Sequence, residues 1–377
     1  MCLAPFMLLE AWRRPHANIA YYRYECFFMV FWWMYSASFL YKSLEMAESI
    51  KHLVYLFIHI LGFLEMLWAA GKALQPQRSI CRGWVLLLLM TIPVAFWELT
   101  GNQHLWTTIM EDQSIGFNGM NIERPYAAVT FGNLNSYNTV ICWALPYLCF
   151  QALFPEKKRD TFVALLTALP LLLVVVINSS RGAIICLSAL ILNYVRCYLK
   201  IGRHKSVMLT IVIIVAFILA YYFYEMFFFI IGRFTEQGMG DDGRTENIVK
   251  GIQAFLDSYG LGIGIGNYAP VMDRIYQVFI PAPHNIFLEI FVVNGIFCFL
   301  GFLGLLLRLF LMRCRGEQRN RFFFSFACVS LVLGGMVDSG YWMKVPTWFF
   351  LVSMYILTDS RYNNANPETD SQSVNSK

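Results

Sequence analysis

The chain is short of charge. Asp, Glu, Lys and Arg make up only 14% of its 377 residues, where soluble globular domains carry about 25%. It also has no CxxC pair, no HExxH helix and no DxD pattern. Without CxxC spacing, neither a zinc site nor a disulfide framework is indicated. The ten Cys fall mostly inside apolar runs, where a thiol behaves as a small apolar group. Without the other two patterns no metal-ligating motif remains, and no cofactor is implied. The N-terminus lacks a cleavable signal pattern, so the first helix would serve as an uncleaved insertion signal. No internal repeat is visible, which weighs against an inverted-repeat transporter.

The sequence is instead 58% hydrophobic and 17% aromatic. A helix of about 20 apolar residues crosses a bilayer core. Ten stretches are candidate spans: 25–41, 53–71, 84–97, 135–153, 161–178, 183–199, 207–231, 285–311, 322–337 and 345–359. The expected fold is therefore an all-α polytopic integral membrane protein with about 10–12 transmembrane helices. The segment ending Leu8-Leu9-Glu10-Ala11-Trp12 is too short to span and reads as an interfacial helix or the remnant of a further one.

Loop charges give an orientation. Arg13, Arg14 and Arg23 precede the first span, and Lys72, Arg78 and Arg82 follow the second. Lys157, Lys158 and Arg159 follow the fourth, Lys200, Arg203 and Lys205 the sixth, and Arg313, Arg315, Arg319 and Arg321 the eighth. Every second loop is basic, so these loops and both termini are expected in the cytoplasm. The net charge of +5 is accounted for by this topology and forms no nucleic-acid patch. The chain reads as a single membrane domain over 1–377 with one large extracytoplasmic loop at 232–284. The tail at 360–377 has a disordered composition.

Three residues on the outer side stand out. Arg181, in Asn178-Ser-Ser-Arg-Gly-Ala183, breaks the positive-inside pattern. It either snorkels to the headgroups and caps a helix, or it serves a function. Arg244 follows Gly240-Asp-Asp-Gly243 and opens a helical pattern with Ile248, Ile252, Phe255 and Leu256. That helix would lie against the membrane or the bundle, capped by Asp241 or Asp242. A cation at a helix N-terminus opposes the dipole and makes sense if a phosphate fills the site; the alternative is a loop Arg paired with Asp241 or Asp242. His284 and Asn285 stand at the mouth of the eighth span, behind Pro281 and Pro283, which hold residue 282 extended. A neutral imidazole suits general-base work on a sugar hydroxyl; the alternative is an interfacial His, with Asn285 a second capping residue. Gly260, Gly262, Gly264 and Gly266 have no strand–turn–helix context, and a close backbone turn explains them as well as ligand binding.

Taken in order, four segments resemble the O-antigen ligase superfamily of bacterial membrane glycosyltransferases. Glu98-Leu-Thr-Gly-Asn-Gln-His-Leu105, with Arg124-Pro-Tyr through Phe131-Gly-Asn-Leu-Asn135, is similar to the loop before the family's central helices. Ser179-Ser-Arg-Gly-Ala183 is similar to its Ser-Arg-Gly turn. Gly243-Arg244, the following helix and Gly260–Asn267 are similar to its large periplasmic loop. His284-Asn285 and nine residues to Gly295 are similar to its His-Asn-x9-Gly signature. The resemblance covers roughly residues 90–340. It departs in the number of helices, where the family commonly has about twelve, and three positions after the Gly, where a small residue is usual and Cys298 is small but atypical.

The resemblance implies a GT-C-like fold in the bacterial cytoplasmic (inner) membrane, multi-pass, with its active site on the periplasmic side. It implies an undecaprenyl-diphosphate-linked glycan as donor and lipid A-core or another glycan carrier as acceptor. Arg181 and Arg244 would then bind the donor diphosphate, and His284 would take the acceptor's proton. Asp338 would orient His284 or bind acceptor sugar. Transfer would be inverting and metal-independent. A polysaccharide polymerase of the same superfamily differs only in its acceptor. A flippase of lipid-linked glycans is the alternative from another class, but it predicts repeat symmetry or a charged path through the membrane, and the sequence has neither.

Overall fold

The computed structural model describes residues 21–101, 103–104, 114–117, 120–123, 125–155, 157–201, 244–278, 281–359 and 361. The expected span at 207–231, the loop residues 232–243 with Asp241 and Asp242, and the tail from 362 lie outside the described residues. The helices in chain order are α1 (Arg23–Ser38), α2 (Met46–Lys72), α3 (Pro76–Gly101), α4 (Leu134–Leu153), α5 (Lys158–Ile177) and α6 (Arg181–Ile201). There follow α7 (Arg244–Asp257), α8 (Tyr268–Arg274), α9 (Ile286–Arg315), α10 (Gln318–Val329) and α11 (Val345–Thr358). A π turn, Ser330–Gly334, prolongs α10.

Five of these helices, α2, α3, α5, α6 and α9, are long and apolar enough to cross a membrane. The fold is all-α and polytopic, with one addition that hydropathy gave no reason to expect. Between α3 and α4, β1 (Ser114–Phe117) and β2 (Met120–Glu123) form an antiparallel hairpin with Ser114 opposite Glu123 and Phe117 opposite Met120. Two helices start earlier than their apolar stretches, at Met46 rather than 53 and at Pro76 rather than 84. Their first two turns carry Glu48 and Lys51, and Arg78 and Arg82. Hydropathy marks the stretch that sits in hydrocarbon, and a helix can continue past it into water.

The core is layered. Helix α4 is buried nearly all round, from Leu134 to Phe150, and so is α11 from Phe350 to Thr358. A helix apolar on every side belongs at the centre of a bundle. Trp143 stacks on Phe350 with ring centroids 5.2 Å apart, and Trp84 stacks on Tyr147 at 5.0 Å. The outer helices keep large apolar side chains exposed, among them Phe162, Leu166 and Leu169 on α5, Met90 on α3 and Leu192 on α6. Such a belt is the surface a bilayer covers. Buried Glu25 on α1 is paired with a cation, meeting Arg308 on α9 at 2.5 Å.

The connections gather at two ends. At one end Arg319 donates to Gln77 at 2.8 Å, and Asn320 donates to the Leu357 and Thr358 carbonyls at 3.1 and 3.2 Å. Arg78, Arg82 and Arg319 line one depression there, and Arg196, Lys200, Arg313 and Arg321 another, so the basic loops share a face. At the opposite end Leu44 N–H donates to Asn267 Oδ1 at 3.1 Å, Ala127 N–H to Asn178 Oδ1 at 2.8 Å, and Ile286 N–H to the Gly335 carbonyl at 2.8 Å. The sequence-selected site residues lie at this second end.

Candidate active site at the non-basic end of the bundle

The site is built on the entrance to α9. Asn285 is its N-cap, and its Oδ1 accepts from Phe287 N–H at 2.9 Å and Leu288 N–H at 3.2 Å. This satisfies two of the donors that a helix start leaves open. Ten residues on, Gly295 breaks the helix with φ 72° and ψ −178°. The glycine turn docks into the break: Ile263 and Gly264 N–H donate to the Val292 and Val293 carbonyls at 3.0 Å, and Ile296 N–H donates to the Gly260 carbonyl at 2.9 Å. A Cβ on Gly295 would overlap the Leu261 carbonyl, and one on Gly262 would stand 2.6 Å from Gly295 N. The His-Asn-x9-Gly spacing thus has a physical content: it separates the helix cap from the backbone break that anchors the glycine turn. The glycine turn is a packing device.

His284 precedes the cap with φ 43°, a left-handed conformation that costs most non-glycine residues energy and that His tolerates better than most. Ser339 holds it twice. The His284 N–H donates to Ser339 Oγ at 3.3 Å, and the same Oγ lies 3.2 Å from the imidazole Nδ1. Asp338, expected to orient His284 or to bind acceptor sugar, has a partner of its own. Asp338 is 3% exposed and pairs with Lys344, whose Nζ also donates to Ser136 Oγ at 2.9 Å and to the Ser339 carbonyl at 2.8 Å. A carboxylate buried so deeply needs a cation, and the chain turning back at 338–344 supplies one. Asp338 N–H donates to Tyr341 Oη at 2.9 Å. Burial, then the Asp338 charge, hold that phenol well above its ordinary pKa, so Tyr341 stays protonated.

Arg181 opens α6 directly beside this segment. A Cβ on its neighbour Gly182 would lie 3.3 Å from Val337 Cγ2. The turn before it is tied down by Asn178, whose Nδ2 donates to the Ala127 carbonyl at 3.0 Å and to Asn138 Oδ1 at 2.9 Å, and by Ser180 Oγ donating to Asn135 Oδ1 at 3.2 Å. Glu98 organises the facing loop, its Oε2 accepting from Ala128 and Val129 N–H at 2.8 Å each. Residues 335–344 therefore bring together the helix starts bearing Arg181, His284 and Asn285.

Arg244 begins α7, as expected from the sequence; its side chain lies outside the described atoms. The face expected for α7 is divided. Phe255 stacks on Phe291 with centroids 3.8 Å apart, whereas Ile248, Ile252 and Leu256 are exposed. The side that packs on α9 carries the smaller residues Gly251 and Ala254, since small side chains let helices approach closely.

Three residues here escaped the sequence reading: Ser339, Lys344 and Glu289. Glu289 lies in the first turn of α9, and its Oε2 accepts from Gly340 N–H at 3.0 Å and Tyr341 N–H at 3.4 Å. An ionisable group inside a span and a lysine on the less basic side were both visible signals. Ser339 carried none.

Comparison with known proteins bears on the same residues. A family model described as O-Antigen ligase matches residues 166–303, a stretch that includes Arg181, Arg244, His284, Asn285 and Gly295 and ends before Asp338. The teichuronic acid biosynthesis protein TuaE of Bacillus subtilis (strain 168) is 20% identical over 292 residues, covering 74% of this chain. The chain spans 58% of the length of that relative. The central segment, residues 166–303, is thus similar to the O-antigen ligase family.

Proposed function

We propose that the protein is a membrane glycosyltransferase of the O-antigen ligase type, moving a glycan from a polyprenyl diphosphate to an acceptor hydroxyl on the extracytoplasmic side. The observation that carries this reading is the convergence of His284 and the Arg181 helix start on residues 335–344, with both residues inside the matched segment. Arg181 and Arg244 bind the diphosphate, because guanidinium forks match phosphate oxygens and stabilise charge on a leaving group. His284 Nε2 takes the proton of the attacking hydroxyl. For that role Nδ1 must carry the other hydrogen and donate to Ser339 Oγ, which has a lone pair for it and a second for the His284 N–H. The hydroxyl displaces the diphosphate at the anomeric carbon with inversion. The donor is undecaprenyl-diphosphate-linked and the membrane is the cytoplasmic one.

Within this reading the acceptor separates a ligase from a polymerase. The relative named for teichuronic acid biosynthesis favours keeping acceptors other than lipid A-core in the test. The test is reconstitution in lipid with a lipid-linked glycan and candidate acceptors. His284→Ala loses roughly 10²–10⁴-fold in transfer rate and still binds donor. The wild-type rate falls as acid protonates the imidazole, because only the neutral ring accepts a proton. Arg181→Ala and Arg244→Ala lose donor binding and transfer, and Lys at either position recovers part of it. Normal transfer by His284→Ala would remove the mechanism.

A further inference from the structure

A cavity of about 280 Å³ opens beside His284. Pro281, Ala282 and Pro283 form one wall, and Ser339, the residue that holds the imidazole, lines another. Its volume is near the lower end for ligand clefts, ~300–1,000 Å³, room for a sugar-sized group. The polar lining carries three acidic residues: Glu45 and Glu48 come from the N-cap and first turn of α2 and Glu289 from α9, with His52 beside them. Among the described residues no Lys or Arg lines it. Glu45 pairs outward with Arg274, and Glu48 with Lys51 at 3.0 Å, where both side chains are about half exposed (45% and 54%). Glu289 is 8% exposed and uses Oε2 on the Gly340 and Tyr341 N–H groups, while its Oε1 makes no hydrogen bond among the described residues. Trp32 and Trp342, with centroids 4.6 Å apart, also line the cavity, and each has a buried indole N–H without an acceptor among the described residues.

We propose that this cavity is the acceptor subsite, and that it takes a neutral or amino sugar and rejects a phosphorylated one. The assignment rests on the transferase reading above. Carboxylates accept hydrogen bonds from sugar hydroxyls, and indoles offer apolar faces to sugar C–H groups. The wall offers carboxylate oxygens, which accept hydrogen bonds, and, among the described residues, no guanidinium or ammonium, so an ammonium or hydroxyl finds partners there and a phosphate, itself only an acceptor, does not. Ser339, which holds the imidazole, is part of the wall, so an acceptor bound in the cavity lies next to His284.

The full-length protein in nanodiscs is titrated calorimetrically with a neutral hexosamine disaccharide, its free-amine form and its 6-phosphate. The expected order is amine, then neutral, then phosphate, with at least tenfold between the first and last. Glu289→Gln, nearly isosteric, weakens the amine form about tenfold and narrows the gap. Glu48→Gln, at the exposed rim where folding is not at stake, moves binding the same way. Phosphate bound as tightly as the amine, no sugar bound at tens of millimolar, or wild-type selectivity in both variants overturns the assignment. In the transfer assay Glu289→Gln raises the acceptor KM and leaves the donor KM unchanged. Selective sugar binding by a protein that transfers nothing removes the transferase reading and leaves the cavity chemistry standing. Transfer with an unchanged acceptor KM in Glu289→Gln does the reverse.

Discussion

Ser339 and Lys344 show how single side chains set the site. Ser339 Oγ serves both the backbone and the ring of His284, so Ser339→Ala removes two hydrogen bonds of about 1 kcal/mol each. Transfer is expected to fall roughly 5- to 30-fold through kcat, with the donor KM unchanged and recovery in Ser339→Thr. A variant with normal kcat would detach Ser339 from the chemistry. Lys344 neutralises buried Asp338. Lys344→Met strands that carboxylate and is expected to destabilise the fold by about 3–5 kcal/mol, read as a lower Tm in detergent. Adding Asp338→Asn to Lys344→Met is expected to return most of the loss; a double variant as unstable as the single would assign the cost to something other than the stranded charge.

At the scale of elements, the break in α9 is the joint between the bundle and the segment that holds the glycine turn. Gly295 has φ 72°, and a Cβ there overlaps Leu261. Gly295→Ala meets both backbone strain of about 1–3 kcal/mol and a clash that only undocking of the glycine turn relieves. The expected outcome is protease sensitivity within residues 258–267 at a temperature where the wild type resists. An Ala variant with wild-type resistance would show that the turn is held by other contacts. The amphipathic pattern of α7 was legible in sequence, but which side packs was not. Periodicity ranks residues by apolarity, whereas close approach to α9 selects Gly251 and Ala254 and leaves Ile248 and Ile252 outside.

The molecule as a whole has a basic end and an end that holds the candidate site. Positive loops stay in the cytoplasm, so the site is expected outside. In a cysteine-free background, a membrane-impermeant thiol reagent applied to right-side-out vesicles is expected to label Tyr259→Cys, a position 91% exposed, and to spare Gln318→Cys. The opposite pattern would turn the protein over and move the site to the cytoplasmic face.

The sequence by itself determined the all-α membrane fold, the alternation of basic loops and the positions of Arg181, His284, Asn285 and Gly295. These are local properties: hydropathy along a helix, charge beside a span, a cap and a glycine at fixed spacing. Only the tertiary structure decided that Ser339 holds His284, that Asp338 belongs to Lys344, and that Glu45, Glu48 and Glu289 line one cavity. Ser339 lies 55 residues from His284 along the chain, and the cavity draws on segments from Trp32 to Met343. Contacts of that range depend on how helices pack, and no window of sequence carries the packing.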